Sequence, residues 1–142
     1  MSQAADVVNK KNEIFNAQDA GKVRAFLAAD VEWAAPGALC RGPDQVIGLF
    51  SVFWEAFPDL KISINRLVED GSTVITDARA EGTHLGTLHT PGGDIPPTGK
   101  HINLPYLERF EVEGGLIISG NLIFDRVEML QQLGAMPAPA SA

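Results

Sequence analysis

The sequence predicts one small α+β domain in which N-terminal helices are followed by an antiparallel sheet. Up to residue 57, apolar side chains recur mainly at helical spacing, whereas from residue 60 onward they alternate with polar ones as in strands. Glycine-containing turns separate the alternating runs, which is typical of hairpins. The 142 residues fit a single domain, which we place at 1–135, with 136–142 expected to be a flexible tail.

The first helix is predicted over residues 4–17. Its apolar stripe at helical spacing comprises Ala4, Val7, Val8, Ile14 and Phe15. Three charged residues of the same segment, Lys10, Lys11 and Glu13, are expected to face solvent. A short second helix over 22–28, a short strand over 30–33 and a third helix over 44–57 follow, and Pro58 ends the last of these.

Four longer strands are predicted next, over residues 60–68, 73–83, 101–112 and 116–124. The connection 85–100 carries several prolines and glycines, so we expect no regular structure there and assign it as a lid or pocket rim. A short helix over residues 127–133 closes the chain. A curved antiparallel sheet wrapped around the helices makes a cone-shaped domain with an apolar interior.

Composition narrows the possible partners. The formal net charge of −7 disfavours binding to phosphate backbones, so nucleic acid is not expected. No apolar run approaches the roughly 20 residues of a membrane span, and the polar N-terminus lacks a signal core. We therefore expect a soluble cytoplasmic protein without membrane contact. The single cysteine, Cys40, permits no internal disulfide and is interpreted as a small, partly buried residue.

Three segments carry a family resemblance. The run FWEAFPDLKISINRLVEDGSTVITDARAEGTHLG, then IPPTGK, then the closing FDRVEMLQQLG resemble the SnoaL-like polyketide cyclases of the nuclear transport factor 2-like superfamily. Ketosteroid isomerase and limonene epoxide hydrolase are relatives in that superfamily. The resemblance implies a homodimeric α+β cone without metal or organic cofactor, and an activity such as ring closure of an apolar carbonyl substrate by aldol condensation.

The resemblance also implies a catalytic residue. In those cyclases an aspartate at the end of the last strand acts as acid and base, and Asp125 matches that position. The alternative is that Asp125 caps the helix after it, because aspartate is a favoured N-cap. Many relatives carry a histidine and an acid in the last strand, whereas residues 119–123 here are SGNLI, without an ionisable group. Asn121, expected on the same strand face as Asp125, and His84 are the candidate partners.

Aromatic side chains are expected to form the pocket wall, and the candidates for substrate contact are Phe15, Trp33, Phe50 and Trp54. Tyr106 and Glu108 share one strand face, and alternation leaves open whether it is the pocket face or the outer face.

Two further functions stay open beside the aldol cyclase. One is a non-catalytic small-molecule-binding domain of the same fold. The other is an isomerase or an epoxide hydrolase, for which Asp77, Arg79 and Asp125 supply the Asp-Arg-Asp residue types. Alternation nevertheless favours an outward orientation for Asp77, Arg79 and Glu81. No spacing of histidine and acidic residues indicates a metal site.

Overall fold

A computed structural model describes residues 3–136, so most of the expected tail lies outside the described residues. It confirms the α+β class: a curved six-stranded sheet follows and encloses N-terminal helices. The helices are α1 (Gln3–Asn16), α2 (Ala20–Arg24), α3 (Gly42–Ala56) and α4 (Arg126–Gln132). The strands are β1 (Leu27–Ala35), β2 (Ala38–Arg41), β3 (Lys61–Asp70), β4 (Thr73–Thr83), β5 (Leu88–Thr90), β6 (Gly93–Ile95), β7 (His101–Glu113) and β8 (Leu116–Ile123).

The main sheet has the order β2-β1-β8-β7-β4-β3. All neighbours are antiparallel except β1 and β8, which run parallel and join the first strand to the last. This pairing places β8 in the interior of the sheet. Alternation along each strand predicts the strands but not which distant strands pair, so the parallel pair was not foreseen.

Two short hairpins lie where the sequence predicts loops. Residues 38–41 form β2 against β1, and the connection 85–100, expected to lack regular structure, contains the β5–β6 hairpin. Gly37 at φ +78° and Gly93 at φ +123° adopt the backbone conformation that favours glycine. Strands of three or four residues are too short for an alternating pattern, which explains why the sequence did not reveal them.

Helix α1 lies across the inner face of the sheet and buries Val7, Val8 and Phe15 as predicted. The expectation for Lys11 was wrong: its side chain is buried and only 6% of the residue is exposed. Residues four apart share one helix face, so Val7, Lys11 and Phe15 all point at the sheet. Lys10 is exposed, as expected.

Gly120 packs tightly against the indole ring of Trp33 in the interior of the sheet. Trp33 on β1 pairs in register with Gly120 on β8, and its indole ring covers that glycine. A β-carbon at position 120 would lie 2.3 Å from atoms of the ring. The absent side chain therefore allows Trp33 to be fully buried and to extend toward β7. Within residues 3–136, no helix is both long and apolar enough to cross a membrane.

Candidate functional site

A cavity of about 70 Å³ lies between the inner face of the sheet and helices α1, α3 and α4. Its wall is apolar except for Lys11, Tyr106 and Glu108. On β7, Leu104, Tyr106 and Glu108 point inward, whereas Leu107 is 49% exposed. The orientation that alternation left open is thereby resolved, and Glu108 lies on the pocket side.

Glu108 and Lys11 form a buried pair in this cavity. Lys11 Nζ lies 4.0 Å from Glu108 Oε1, and the other carboxylate oxygen, Oε2, accepts a hydrogen bond of 3.2 Å from Trp33 Nε1. Both side chains are almost fully buried. One carboxylate oxygen is thus held by the indole, and the other faces the lysine.

Aromatic rings surround the Lys11 amine. Nζ lies 4.9 Å from the ring centroid of Phe15, 5.1 Å from that of Phe50, and 5.4 Å from those of Trp33 and Phe110. Such distances permit cation–π attraction, which stabilises a positive charge where water is excluded. The rings also contact one another edge to face, for example Trp33 against Phe110 at 5.6 Å. We call Phe15, Trp33, Phe50 and Phe110 the aromatic cage.

Burial shifts the pKa values of this pair toward each other. It raises the pKa of the Glu108 carboxyl, against the opposing effects of Lys11 and the Trp33 N–H. Burial also lowers the pKa of Lys11, against the opposing effect of Glu108. Tyr106 stays protonated, because burial and the nearby Glu108 charge raise the pKa of its hydroxyl. A smaller gap between the two pKa values makes proton transfer between carboxyl and amine less costly.

Asp125 has the alternative role that the sequence left open. Its carboxylate accepts hydrogen bonds from the backbone N–H groups of Val127 at 2.9 Å and Glu128 at 3.1 Å, which makes it the N-cap of α4. It is exposed and does not line the cavity. Leu122 and Phe124 point into the cavity, so the intervening residue and Asp125 fall on the other side.

Asn121 and His84 also lie outside the cavity wall. Asn121 is paired in register with Arg109 on the face opposite Leu122, so it is not an inward donor. His84 is buried, and its Nδ1 accepts from the backbone N–H of Thr98 at 3.2 Å. Burial lowers the pKa of this imidazole. The histidine therefore anchors the end of the 85–100 connection.

The predicted substrate-contacting aromatics divide into two groups. Phe15 and Phe50 line the cavity together with Tyr106. Trp33 contacts Glu108 from behind the wall, and Trp54 packs against Phe15 at 5.2 Å without reaching the cavity. Of the four aromatic residues predicted for substrate contact, Phe15 and Phe50 therefore line the cavity, and Trp33 and Trp54 pack behind its wall.

The residue types of an epoxide hydrolase are not assembled. Asp77 and Arg79 lie on the exposed outer face of β4, as alternation predicted, and Arg79 Nε donates to Asn103 Oδ1 at 2.6 Å. Asp125, at the start of α4, is not joined to them. In the part of the chain that the structure describes, no three histidine, cysteine or acidic side chains are grouped to hold a metal ion.

A second, larger cavity of about 240 Å³ adjoins the first. The two share four wall residues, Leu49, Phe53, Phe124 and Met129, which we call the partition. Within it, Phe53 and Phe124 contact edge to face at 6.2 Å. The outer cavity also touches the β5–β6 hairpin, so the 85–100 connection does form a rim.

Comparisons with known proteins agree with this fold. The sequence pattern of the family described as SnoaL-like polyketide cyclase matches residues 5–133. A candidate SnoaL-like polyketide cyclase from Jannaschia sp. CCS1 is 22% identical, with a TM-score of 0.83 over 95% of this chain and 94% of that one. No curated protein matches the chain.

Two further solved structures are similar. IdmH, a candidate polyketide cyclase from Streptomyces antibioticus, is 27% identical, with a TM-score of 0.78 over 94% of this chain and 99% of that one. An LEH-like epoxide hydrolase from M. tuberculosis is 20% identical, with a TM-score of 0.72 over 94% and 90% of the two chains. At 20–22% identity, the Jannaschia and M. tuberculosis proteins are evidence for the fold alone.

Proposed function

The chain belongs to the SnoaL-like polyketide cyclase family, and on that premise we propose that it is a cofactor-independent enzyme acting on an apolar carbonyl compound, with Glu108 as the acid and base. Lys11 is the cationic partner of Glu108. The reaction type is proton removal next to a carbonyl, as in ring closure by aldol condensation. Asp125 is not part of this proposal, because its carboxylate caps α4.

The observation that carries the proposal is a carboxyl group buried in an apolar cavity beside a buried amine. Glu108 is inside the cavity wall and is paired with Lys11 at 4.0 Å. A carboxylate with a raised pKa is a stronger base toward a carbon acid, and efficient acid–base catalysis uses groups whose pKa lies near the working pH. The shift of the Glu108 pKa has that direction.

The proposed step balances within the pair. The Glu108 carboxylate takes a proton from the carbon next to a carbonyl, and the electron pair of that C–H bond moves to form an enolate. The enolate carbon then bonds to a second carbonyl carbon of the same molecule, whose oxygen becomes an alkoxide. That alkoxide takes the proton back from Glu108. The Lys11 ammonium stabilises the negative oxygen at each stage.

The cavity sizes support a substrate longer than one ring. Ligand pockets commonly measure about 300–1,000 Å³, so the inner cavity of about 70 Å³ accommodates only the reacting end. The outer cavity of about 240 Å³ would hold the rest of the molecule once the partition side chains turn aside. The phenyl groups of Phe53 and Phe124 would be the moving parts.

A matched pair of variants tests the proposal. Glu108→Gln and Asp125→Asn both convert a carboxyl to a carboxamide, one inside the cavity and one at the helix cap. Exchange of the α-protons of acetone, a ketone small enough for the inner cavity, in D₂O, followed by ¹H NMR, reports base catalysis without a known substrate. We expect Glu108→Gln to lower the exchange rate by about 10²–10⁴-fold and Asp125→Asn to leave it unchanged. Equal rates in both variants and the parent would refute the role of Glu108.

A second candidate function is non-catalytic binding of an apolar molecule. One observation favours it: Glu108 already accepts from Trp33 and faces Lys11, as in a structural ion pair. A binding domain would be stabilised against heat by apolar ketones yet catalyse no α-proton exchange. Comparing thermal shift with exchange for the same compounds separates the two functions.

The homodimer that the resemblance implies remains a proposal, as does the cytoplasmic location. Leu107 and Ile123 are register partners on the outer face of the sheet, and they are 49% and 59% exposed. Adjacent exposed apolar side chains are often covered by another subunit. We expect sedimentation to give a dimer that Leu107→Glu converts to monomer. A monomeric parent protein would exclude this arrangement.

A further inference from the structure

We propose that Lys11 bonds covalently to the carbonyl carbon of a substrate, forming an imine inside the aromatic cage, with Glu108 moving the protons. This activity deepens the proposed function and rests on its cavity and carbonyl substrate. It assigns Lys11 as a nucleophile in addition to a charge. Aldehydes and ketones small enough for the inner cavity are the expected partners.

The first support for the imine is the position of the Lys11 amine. Lys11 lines the cavity, so a carbonyl group in the cavity would lie beside its side chain. Its contact with Glu108 Oε1 is 4.0 Å, which is beyond hydrogen-bond distance. Because no hydrogen bond to Glu108 engages it, the nitrogen of the neutral amine is available to a carbonyl carbon in the cavity. The acid needed to expel water from the adduct is the neighbouring carboxyl group.

The number of N–H donors on the Lys11 nitrogen also favours an imine over an ammonium in this cage. An ammonium carries three N–H donors, whereas the cage offers aromatic faces and a single carboxylate. A protonated imine of Lys11 carries one N–H donor and keeps the positive charge. It therefore matches one carboxylate and four rings better than the ammonium does, because the cation–π attraction survives while two donors disappear.

The step conserves atoms and charge. A proton passes from the Lys11 ammonium to the Glu108 carboxylate, which the opposite shifts of their pKa values make less costly. The neutral amine attacks the carbonyl carbon, and the C=O electron pair moves to oxygen, which takes up a proton from nitrogen. Glu108 then protonates that hydroxyl, the C–O bond breaks, and water leaves. The products are a cationic iminium, a Glu108 carboxylate and one water molecule.

Proton removal becomes easier after this step. The iminium withdraws electrons more strongly than the parent ketone, so the Glu108 carboxylate can take the neighbouring proton to give an enamine. The enamine carbon attacks the second carbonyl, and Glu108 returns its proton to the resulting alkoxide. A water molecule finally releases the product and restores the Lys11 amine. No oxidant, metal or organic cofactor enters the balance.

Borohydride trapping tests the inference directly. The protein is incubated with acetone and sodium cyanoborohydride, and intact mass and peptide mapping then locate any reductively added isopropyl group. We expect one adduct, on Lys11, because each unit by which an amine pKa falls raises its reactive neutral fraction about tenfold. Lys10→Met, at the exposed neighbouring lysine, should keep the adduct, and Lys11→Arg, which preserves a cation, should lose it.

The α-proton exchange assay of the same samples separates the two proposals. An adduct on Lys11 that Glu108→Gln slows at least about tenfold supports the imine and its proton relay. Labelling spread over the exposed lysines, or none at all, while exchange still depends on Glu108 overturns the imine and leaves the proposed function standing. Loss of both signals in the parent protein overturns both. If Lys11→Arg fails to fold, the site of labelling in Lys10→Met alone decides the question.

Discussion

Removing one member of the Lys11–Glu108 pair should cost far more stability than its size suggests. Two unit charges 4.0 Å apart attract by about 4 kcal/mol at an effective dielectric constant of about 20. A single substitution also leaves the other group buried without its partner, which typically costs about 3–5 kcal/mol. We therefore expect Lys11→Met and Glu108→Gln each to lower the free energy of unfolding at pH 7 by about 3–5 kcal/mol.

The double variant supplies the control. Methionine preserves the apolar stem of lysine, and glutamine preserves an acceptor for the Trp33 N–H. With both charges gone, no unpaired charge is buried, so the combined loss should fall short of the sum by about 4 kcal/mol. Urea denaturation of the four proteins measures the three differences. Losses that add within about 0.5 kcal/mol would show that the two charges are not coupled and would refute the reasoning.

The pH dependence of Lys11→Met provides an independent check. Without the lysine, only the Trp33 hydrogen bond still opposes burial, which raises the folded-state pKa of Glu108 above the unfolded value of about 4.3. A raised carboxyl pKa means that the folded state binds more protons, so stability falls as pH rises above about 4.3. The loss caused by Lys11→Met should therefore shrink as pH is lowered toward that value. A loss that is constant with pH would contradict the burial of this carboxyl.

Substitutions at Gly120, His84 and Asp125 probe neighbouring features, and Gly48→Ala and Asp125→Asn serve as controls. Gly120→Ala should cost at least about 1–3 kcal/mol, because its β-carbon would lie 2.3 Å from an indole ring, whereas Gly48→Ala on exposed helix surface should gain up to about 1 kcal/mol by thermal melting. Burial lowers the pKa of the His84 imidazole, so the free energy of unfolding is unaffected by this group above about pH 6.5 and falls below that pH. His84→Gln should reduce this fall, as measured by melting curves at several pH values. Asp125→Ala should lose about 1 kcal/mol as a cap, and Asp125→Asn almost none, in urea denaturation.

Each of these has a contradicting outcome. Equal melting temperatures for the two glycine variants would mean that the ring does not cover position 120. An unchanged pH profile in His84→Gln would place the titrating group elsewhere, and a stable Asp125→Ala would show that the cap carries little energy.

The sequence predicted the fold well because period-two alternation and hairpin glycines are local signals. Gly114 at φ +58° and Gly115 at φ +79° form the two-residue turn that such glycines predict. The parallel contact of β1 with β8 had no such signal, since strand pairing across the chain depends on tertiary packing. Likewise, the boundaries of short strands could not be read from alternation.

The candidate site was only partly predictable. Lysine is rarely buried, so Lys11 was assigned to solvent although its spacing from Val7 and Phe15 placed it on the buried stripe. For Asp125 the two roles have the same local sequence, and only the hydrogen bonds of α4 distinguish them. Alternation groups Glu108 with Tyr106 on one face of β7, but it does not show whether that face is turned toward the helices.

The pair also joins distant parts of the chain, because Lys11 comes from α1 and Glu108 from β7. The sheet alone would hold a carboxyl group with no cation and an uncovered cavity. Reactivity therefore depends on the docking of α1 onto β7, a strand that is synthesised much later. It appears only in a chain that has completed its fold. Partial undocking of α1 would therefore switch the site off before the sheet unfolds.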